Sequence, residues 1–323
     1  LAELLGETGP LKDGVHGFSP RAEQQQMAEA TAATIAANGT LIVEAGTGTG
    51  KTFAYLMPAL LSGKKVIIST GTRHLQDQLF GKDLPVVREA LHAPVHSALL
   101  KGRSNYLCWH RLQTAAGEGR RLSGKQLHEL EQVRAWSGHT ASGDIAELGR
   151  VSEDSVVWPK VTSTVENCLG QECEFFQDCF VVKARRNAME ADIVVINHHL
   201  LFADMVLKEE GFGELLPGAD AFIIDEAHQL PEVASIFFGT TLSSHQLRDL
   251  ARDVRLEHLR EAGDMQDLPD AADRMEAVIH QLRLALGPSD RRAAWSEVAA
   301  DQDLQAVLLD LAGCLQRLKD WLE

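Results

Sequence analysis

The chain has 323 residues, of which 45% are hydrophobic and 24% are charged, values typical of a globular protein with two or three domains. A net charge of −15 argues against a broad basic face that coats duplex DNA, but a narrow channel for one strand remains compatible with it. No apolar run reaches the ~18 residues of a membrane span. We find no signal peptide, and five cysteines, an odd number, do not suggest a disulfide framework. These features predict a cytoplasmic protein without a membrane partner.

A helix is predicted from about residue 20 to residue 37, where Asn38 and Gly39 end it. Its early face carries Arg21 and Gln24. Most exposed glutamines are simply solvated. Because this helix lies directly upstream of a glycine-rich loop, Gln24 is also a candidate for contact with the base of a nucleotide.

That glycine-rich loop, residues 44–52, follows the apolar run 41–43 and precedes the predicted start of a second helix. Strand, glycine-rich loop, Lys-Thr and helix form the order of a P-loop. The backbone N–H groups of such a loop surround a phosphate, and the helix N-terminus adds partial positive charge. The residues expected to contact the nucleotide are Ala45, Gly46, Thr47, Gly48, Thr49, Gly50, Lys51 and Thr52. Lys51 is expected to reach the β- and γ-phosphates, and the Thr52 hydroxyl to ligate Mg²⁺.

Apolar strands alternate with helices downstream of the P-loop. The first such strand, residues 66–70, is followed by another helix, which predicts an α/β fold with a parallel sheet. Ligands of such sheets bind beyond the carboxyl ends of the strands. Thr70, Thr72 and Arg73 lie at one of those ends.

The alternation stops near residue 101 and resumes near residue 191, so residues 101–190 are interpreted as an inserted domain. A helix is predicted within it at residues 126–136. The alternation continues through residues 191–240, and residues 241–323 have a helical period of apolar side chains.

An acidic pair follows the apolar strand that ends at Ile224. Asp225 would hold Mg²⁺, and Glu226 would orient and deprotonate the attacking water. Alone, an Asp-Glu pair after a strand is more often a helix cap with a charged first turn. The P-loop upstream favours the catalytic interpretation.

Four cysteines lie in the insert: Cys108, Cys168, Cys173 and Cys179. They suggest four thiolate ligands for an iron–sulfur cluster or for zinc, and their long spacings favour iron–sulfur modestly. Cys314, in a leucine-rich helix, is interpreted as a core residue.

Basic and aromatic residues flank these cysteines and suit a single nucleic-acid strand, although a solvated face would look similar. Together with the strand ends, they give the predicted DNA-contacting set: Thr70, Thr72, Arg73, Arg103, Tyr106, Lys183, Arg185, Asn197 and His198.

These motifs, in this order, resemble the XPD/DinG-type iron–sulfur superfamily 2 DNA helicases, in particular their bacterial DinG-like branch. The resemblance covers about residues 17–250. The matching stretches are Arg21-x-x-Gln24-x-x-Met27, residues 44–52, 69–72, 75–79, 101–108 and 168–179, residues 182–185, Asn197-His198-His199-Leu200 and residues 225–228.

The resemblance implies a RecA-like motor domain in two parts, residues 1–100 and 191–240, with an iron–sulfur insert at 101–190 and a partial helical arch at 241–323. It implies ATP, Mg²⁺ and a [4Fe–4S] cluster as cofactors, and 5′→3′ travel on single-stranded or forked DNA. Gln24 and Arg21 would recognise adenine, and His228 would complete the Asp-Glu-Ala-His box. A monomer that works with replication or repair proteins is expected.

The family continues with a second motor domain that supplies arginines across the ATP site, and no such segment occurs in this sequence. Loss of such an arginine costs on the order of 10³-fold or more in comparable NTPases. The chain alone is therefore expected to hydrolyse ATP poorly and to unwind nothing. Two alternatives stay open: a nucleotide-dependent redox or iron sensor, and a P-loop ATPase with a Cys₄ zinc site.

Overall fold

A computed structural model describes the chain except at residues 1–2, 7, 15–18, 47, 118–122, 166, 210, 212–213, 240–241, 261–262, 264, 266, 288–292 and 323. The chain forms two compact units, Leu1–Gly239 and Thr240–Glu323. In the described residues, no helix is both long and apolar enough to cross a membrane.

A parallel sheet forms the centre of the first unit. Its strands are β1 (Val66–Thr70), β2 (Ser97–Leu99), β3 (Ile193–Asn197) and β4 (Ala221–Ile224), in the spatial order β2-β3-β1-β4. Every pairing is parallel, and Ile68 aligns with Val195 on one side and with Ile223 on the other. The predicted α/β fold with a parallel sheet is therefore confirmed. β2, which the sequence pattern does not single out, extends the sheet on one side.

Helices cover both faces of this sheet. In chain order, the helices of the first unit are α1 (Pro10–Gly14), α2 (Ala22–Ala37), α3 (Lys51–Leu61), α4 (Arg73–Gln78), α5 (Leu84–Ala90), α6 (Trp109–Gly117), α7 (Gly124–Ser137), α8 (Trp158–Val161), α9 (Phe180–Glu190), α10 (His198–Glu209) and α11 (Leu230–Phe238). Because strand side chains alternate between faces, Ile68 packs with the buried residues of α3, while Ile67 packs with those of α9 and α10. Both faces of β1 and β3 are buried, which explains their uninterrupted apolar sequences.

The strand predicted at residues 41–43 is not formed. This segment is extended, but among the described residues its backbone makes no hydrogen bond to another backbone. Ile42 is 92% exposed. A groove of about 900 Å³ is lined by this segment and by β4. An apolar run becomes a strand only when a neighbouring backbone lies within hydrogen-bonding distance, and β4 does not reach it.

Residues 101–190, predicted to be an inserted domain and called the insert below, contain a separate cluster of buried apolar side chains. Leu107, Val133, Val157 and Val161 are buried together with residues of α6 to α9. The helix predicted at residues 126–136 is present as α7, and a capping box begins it: the Ser123 and Gln126 side chains each bond the other residue's backbone N–H.

The second unit is helical. Its helices are α12 (Ser244–Arg260), α13 (Asp267–Ala285), α14 (Trp295–Val298) and α15 (Gln302–Leu322). α13 packs against both α12 and α15, with Ala251, Met275 and Leu311 in the shared core. Cys314 is buried in this core, as predicted.

Candidate nucleotide site

The P-loop connects the extended segment 41–46 to the N-terminus of α3. Gly48 and Gly50 have φ angles of 74° and 80°, a conformation that side chains disfavour, which explains glycine at both positions. The Thr49 hydroxyl donates to the Gly46 carbonyl over 2.9 Å and closes the turn. Thr47, also predicted to contact the nucleotide, lies outside the described residues.

Lys51, the first residue of α3, lies between the loop and the acidic pair. Its Nζ donates to the Ala45 carbonyl over 3.1 Å and lies 3.8 Å from Glu226 Oε1. Both side chains are 29% exposed, so this ion pair is partly screened by solvent and contributes little to stability. Thr52 follows Lys51 in the first turn of α3.

Asp225 and Glu226 follow β4 directly. The Asp225 N–H donates to the Ser69 carbonyl of β1 over 2.8 Å, which holds the acidic pair against the centre of the sheet. Burial raises the pKa of Asp225, the neighbouring Glu226 raises it further, and the Tyr55 hydroxyl and Lys51 act in the opposite direction.

Glu226 has an unusual backbone conformation for a residue with a side chain. Its φ of 56° and ψ of 41° are left-handed, at a cost of roughly 1–2 kcal/mol. Its carboxylate Oε2 lies 3.3 Å from His228 Nδ1. Strain of this kind persists only where the surroundings impose it, and it is common at functional sites.

Tyr55 belongs to the site although it was not predicted from the sequence. Its hydroxyl donates to Asp225 Oδ2 over 3.2 Å. Burial raises the pKa of Tyr55 well above its usual value, and the Asp225 charge adds to this effect. The only signal in the sequence is its position three residues after Thr52, which places the two side chains on one face of α3.

Arg21 and Gln24 contact the backbone of the P-loop. Gln24 Nε2 donates to the Gly50 carbonyl over 3.0 Å, and the Arg21 guanidinium donates to the Gly48 carbonyl. Gln24 Oε1 is buried and has no hydrogen-bond partner among the described residues. The contacts shown therefore support the shape of the loop, and the role of both residues towards adenine stays a prediction.

The four cysteines of the insert are all partly buried. Burial raises the pKa of Cys108, and Cys179, Cys173 and Cys168 act in the same direction. Within the described residues, no three His, Cys, Asp or Glu side chains are grouped closely enough to hold a metal ion. The donor chemistry fits a group bound by four thiolates, although the thiols do not adopt the spacing of a closed site.

At the strand ends, the predicted DNA-contacting residues differ in exposure. Thr72 and Arg73 are exposed, and the Thr72 hydroxyl caps α4 by accepting from the Leu75 N–H over 3.2 Å. Thr70 and Asn197 are buried, and Asn197 Oδ1 accepts from the Leu200 N–H over 2.9 Å at the start of α10. These buried side chains shape the strand ends in this structure, whereas the exposed pair faces solvent.

The predicted DNA-contacting residues of the insert also divide by exposure. Lys183 is exposed, its Nζ 3.0 Å from Asp178 Oδ1 and 5.9 Å from the centre of the Phe180 ring. Arg103 and Arg185 are partly buried, and burial followed by Arg103 lowers the pKa of Arg185. Tyr106 is buried, which raises its pKa. The two arginines thus form a positive pair near the cysteines.

Lys101 is a buried ion-pair centre. Its side chain is 2% exposed, and its Nζ lies 2.6 Å from Asp77 Oδ1 in α4 and 2.7 Å from Asp144 Oδ2 in the insert. Its backbone N–H donates to the Tyr106 hydroxyl over 3.1 Å. Two carboxylates and a buried ammonium therefore join the insert to the sheet's helical layer.

Comparison with known proteins gives a consistent result. Residues 22–116 match the DEAD/DEAH box helicase family model. Over 320 residues the chain is 51% identical to the ATP-dependent DNA helicase YoaA of Escherichia coli (strain K12), which covers 99% of this chain and 50% of that protein. It is 34% identical over 289 residues to the ATP-dependent helicase DinG of Mycobacterium tuberculosis (strain ATCC 25618 / H37Rv). That match covers 83% of this chain and 42% of that protein. A solved structure named Truncated XPD matches with a TM-score of 0.41 and 15% identity, covering 92% of this chain and 82% of that chain.

Residues 22–116 therefore resemble a DEAD/DEAH box helicase domain, and the resemblance inferred from the motifs is confirmed. Within this group the chain is similar to YoaA over nearly its whole length. The chain spans about half the length of the curated relatives it matches.

Proposed function

We propose that this chain is the nucleotide-binding part of an ATP-dependent DNA helicase. One observation carries the proposal: Lys51 of the P-loop and Glu226 after β4 approach to 3.8 Å in one cleft, with Asp225 beside them. A phosphate-binding cation and an acidic pair in one cleft are the groups that ATP hydrolysis requires. The names of the curated relatives support the same function.

Each group then has a role. Lys51 neutralises the β- and γ-phosphates, and the backbone N–H groups of the loop bind the same oxygens. Thr52 and Asp225 would hold Mg²⁺, which supplies charge compensation at the phosphates. Glu226 orients the attacking water and accepts its proton, and its contact with His228 orients the carboxylate.

We infer that one DNA strand passes the carboxyl ends of β1 and β3 in the 5′→3′ direction. Arg73 and Thr72 are exposed at that edge, as binding to phosphates requires. Arg103, Arg185 and Lys183 continue the positive charge on the insert. A narrow contact with a single strand is compatible with the overall charge of −15.

The insert is proposed to hold a [4Fe–4S] cluster on Cys108, Cys168, Cys173 and Cys179. The donor chemistry of four partly buried, free thiols supports this assignment. In the first alternative, a structural zinc ion uses the same four thiolates, and the chain is a P-loop ATPase with a Cys₄ zinc site. A redox or iron sensor is the third possibility, in which the cluster controls nucleotide turnover.

The proposed domains follow the motifs: motor residues 1–100 and 191–240, an iron–sulfur insert at 101–190 and a partial arch at 241–323. Because the curated relatives are about twice as long, we expect this chain alone to bind nucleotide but to hydrolyse it slowly. Robust DNA-stimulated unwinding by this chain alone would contradict that expectation.

The test uses a fluorescent ATP analogue with Mg²⁺ and a labelled oligo-dT strand. The wild-type chain should bind both, and Lys51→Ala should reduce nucleotide affinity at least about tenfold without altering DNA affinity. Equal nucleotide affinity in the two proteins would overturn the assignment. Metal analysis and the absorbance at about 400 nm distinguish an iron–sulfur cluster from zinc.

A further inference from the structure

A buried histidine lies between the DNA-facing end of β1 and the acidic pair. His198, the first residue of α10, is fully buried, and its Nδ1 lies 2.7 Å from Ser69 Oγ. Its Nε2 is buried as well and has no hydrogen-bond partner among the described residues. A buried ring nitrogen without a partner is unfavourable, which indicates that a second arrangement of its surroundings satisfies it.

The groups beside this nitrogen are the backbones of Asp225 and Glu226. Burial lowers the pKa of His198, and hydrogen bonding towards the backbones of Asp225 and Glu226 acts in the opposite direction, so the carbonyl groups of this turn adjoin the ring without reaching good hydrogen-bond geometry at Nε2. Glu226 is held in a left-handed conformation, which leaves its peptide groups a lower-energy arrangement to adopt. A small rotation there would present a carbonyl oxygen to Nε2.

The end of β1 is attached to the acidic turn at two other points. The Ser69 carbonyl accepts from the Asp225 N–H over 2.8 Å. Two residues further on, Gly71 lies so close to Gln229 that a Cβ there would stand 2.2 Å from its Oε1. A shift of the segment that carries Thr72 and Arg73 would therefore reach the acidic turn.

We propose that Ser69 and His198 link DNA bound at this strand end to the position of Glu226. With nucleotide and DNA both bound, the Ser69 hydroxyl donates to Nδ1, and Nε2–H donates to a backbone carbonyl of the Asp225–Glu226 turn. His198, which the sequence placed among the DNA-contacting residues, is fully buried and is then a positioning residue that touches neither ligand. A hydrogen bond made in only one state is what shifts the balance between two states. The inference rests on the proposed function, because it requires both ligands to bind.

The experiment measures coupling in the chain itself. The affinity for a fluorescent ATP analogue with Mg²⁺ is measured with and without saturating oligo-dT, and the affinity for oligo-dT with and without the analogue. By linkage the two ratios must agree, and we expect a coupling of about fivefold or more in the wild-type chain.

Three variants separate the ends of the link. In His198→Asn, the side-chain amide occupies the position of Nδ1, but no atom replaces Nε2. The coupling factor of this variant should therefore be close to one. His198→Gln, whose amide reaches the Nε2 position, should restore a substantial part of the coupling, and Ser69→Ala should lower it. His139, an exposed histidine of the insert, provides the matched control His139→Asn.

A merely structural role would weaken both affinities equally and would not be rescued by Gln. Unchanged coupling in His198→Asn, or no coupling in a wild-type chain that binds both ligands, would overturn the inference alone. A wild-type chain that binds neither ligand would overturn the proposed function as well. If His198→Asn fails to fold, as judged by circular dichroism, Ser69→Ala and His198→Gln still decide the question.

Discussion

The Tyr55 hydroxyl donates a hydrogen bond to Asp225 Oδ2 over 3.2 Å and so joins the helix after the P-loop to the strand that precedes the acidic pair. Asp225 has a raised pKa because of burial, and this hydrogen bond opposes that shift by stabilising the charged carboxylate. Tyr55 thus supports the form of Asp225 that would bind Mg²⁺.

Tyr55→Phe should weaken nucleotide binding when Mg²⁺ is present. Loss of one hydrogen bond to a charged group is worth about 1.5–3 kcal/mol when buried, and partial exposure of Asp225 reduces the expected effect to about fivefold in affinity. Titration of the fluorescent analogue measures it. With EDTA in place of Mg²⁺ the variant and the wild-type chain should bind alike, and a defect of equal size under both conditions would refute the assigned role.

Glu226→Gln should separate binding from chemistry. The amide retains the shape of the side chain but cannot accept the proton of the attacking water. We expect nucleotide affinity within about twofold of the wild-type value and a loss of whatever slow hydrolysis the chain shows, by about 10²-fold or more. Phosphate release measures turnover. Hydrolysis at the wild-type rate would exclude Glu226 as the general base.

The sequence predicted the central strands β1 and β3 because both of their faces are buried. Residues 66–70 and 193–197 are uninterrupted apolar runs that end in polar residues, and both form strands. Residues 41–43 have the same pattern and remain unpaired, since pairing depends on a neighbour that the pattern does not specify. Local sequence predicts that a segment is suited to a strand, whereas pairing is a tertiary property.

The site was predictable where chemistry depends on contiguous residues, as in the P-loop and the acidic pair. The contacts of Tyr55 with Asp225, and of Lys101 with Asp77 and Asp144, depend on how distant segments meet. The basic and aromatic residues that flank the cysteines suggested a nucleic-acid surface, although one basic residue of that stretch, Lys101, has its side chain buried in ion pairs. The sequence shows which residues are charged. Whether a charged side chain is buried depends on partners from distant segments, which the sequence does not show.

Gly50→Ala should disturb the contact between the P-loop and α2. A Cβ at Gly50 would lie 2.1 Å from Gln24 Nε2, and the backbone there is left-handed. Gly63→Ala is the matched control, because Gly63 is also left-handed but nothing lies within 4 Å of its Cβ position. Both should lose about 1 kcal/mol through backbone strain, and only Gly50→Ala should also lose nucleotide affinity. Equal nucleotide affinities would show that Gln24 does not support the loop.

Cys173→Ser should lower the metal content of the proposed four-thiolate site. Loss of one thiolate from a four-thiolate site should reduce bound iron, or bound zinc in the alternative, to below about half of the wild-type content. Elemental analysis identifies the metal and its amount. Cys314→Ala, in the core of the second unit, should retain the full content. Equal metal content in all three proteins would exclude Cys173 as a ligand.

Lys101→Met should destabilise the first unit because it leaves the carboxylates of Asp77 and Asp144 without a cationic partner. Met keeps most of the side-chain volume, but Asp144, 13% exposed, loses its charged partner, while Asp77, 38% exposed, can be rehydrated. Removing one member of a buried pair costs about 3–5 kcal/mol, and we expect about 2–3 kcal/mol after the exposure of Asp77 is taken into account. Thermal unfolding measures the change.

Two further variants distinguish a lost charge pair from a packing defect. Combining Lys101→Met with Asp144→Asn removes both charges, so the double variant should recover part of the lost stability relative to Lys101→Met. Lys125→Met is the matched control, since this side chain is 84% exposed and its Nζ lies 3.8 Å from Glu129 Oε1. It should change stability by less than about 0.5 kcal/mol. If Lys101→Met is as mild as this control, the buried ammonium does not hold the insert to α4, and the two carboxylates must be stabilised by solvent instead.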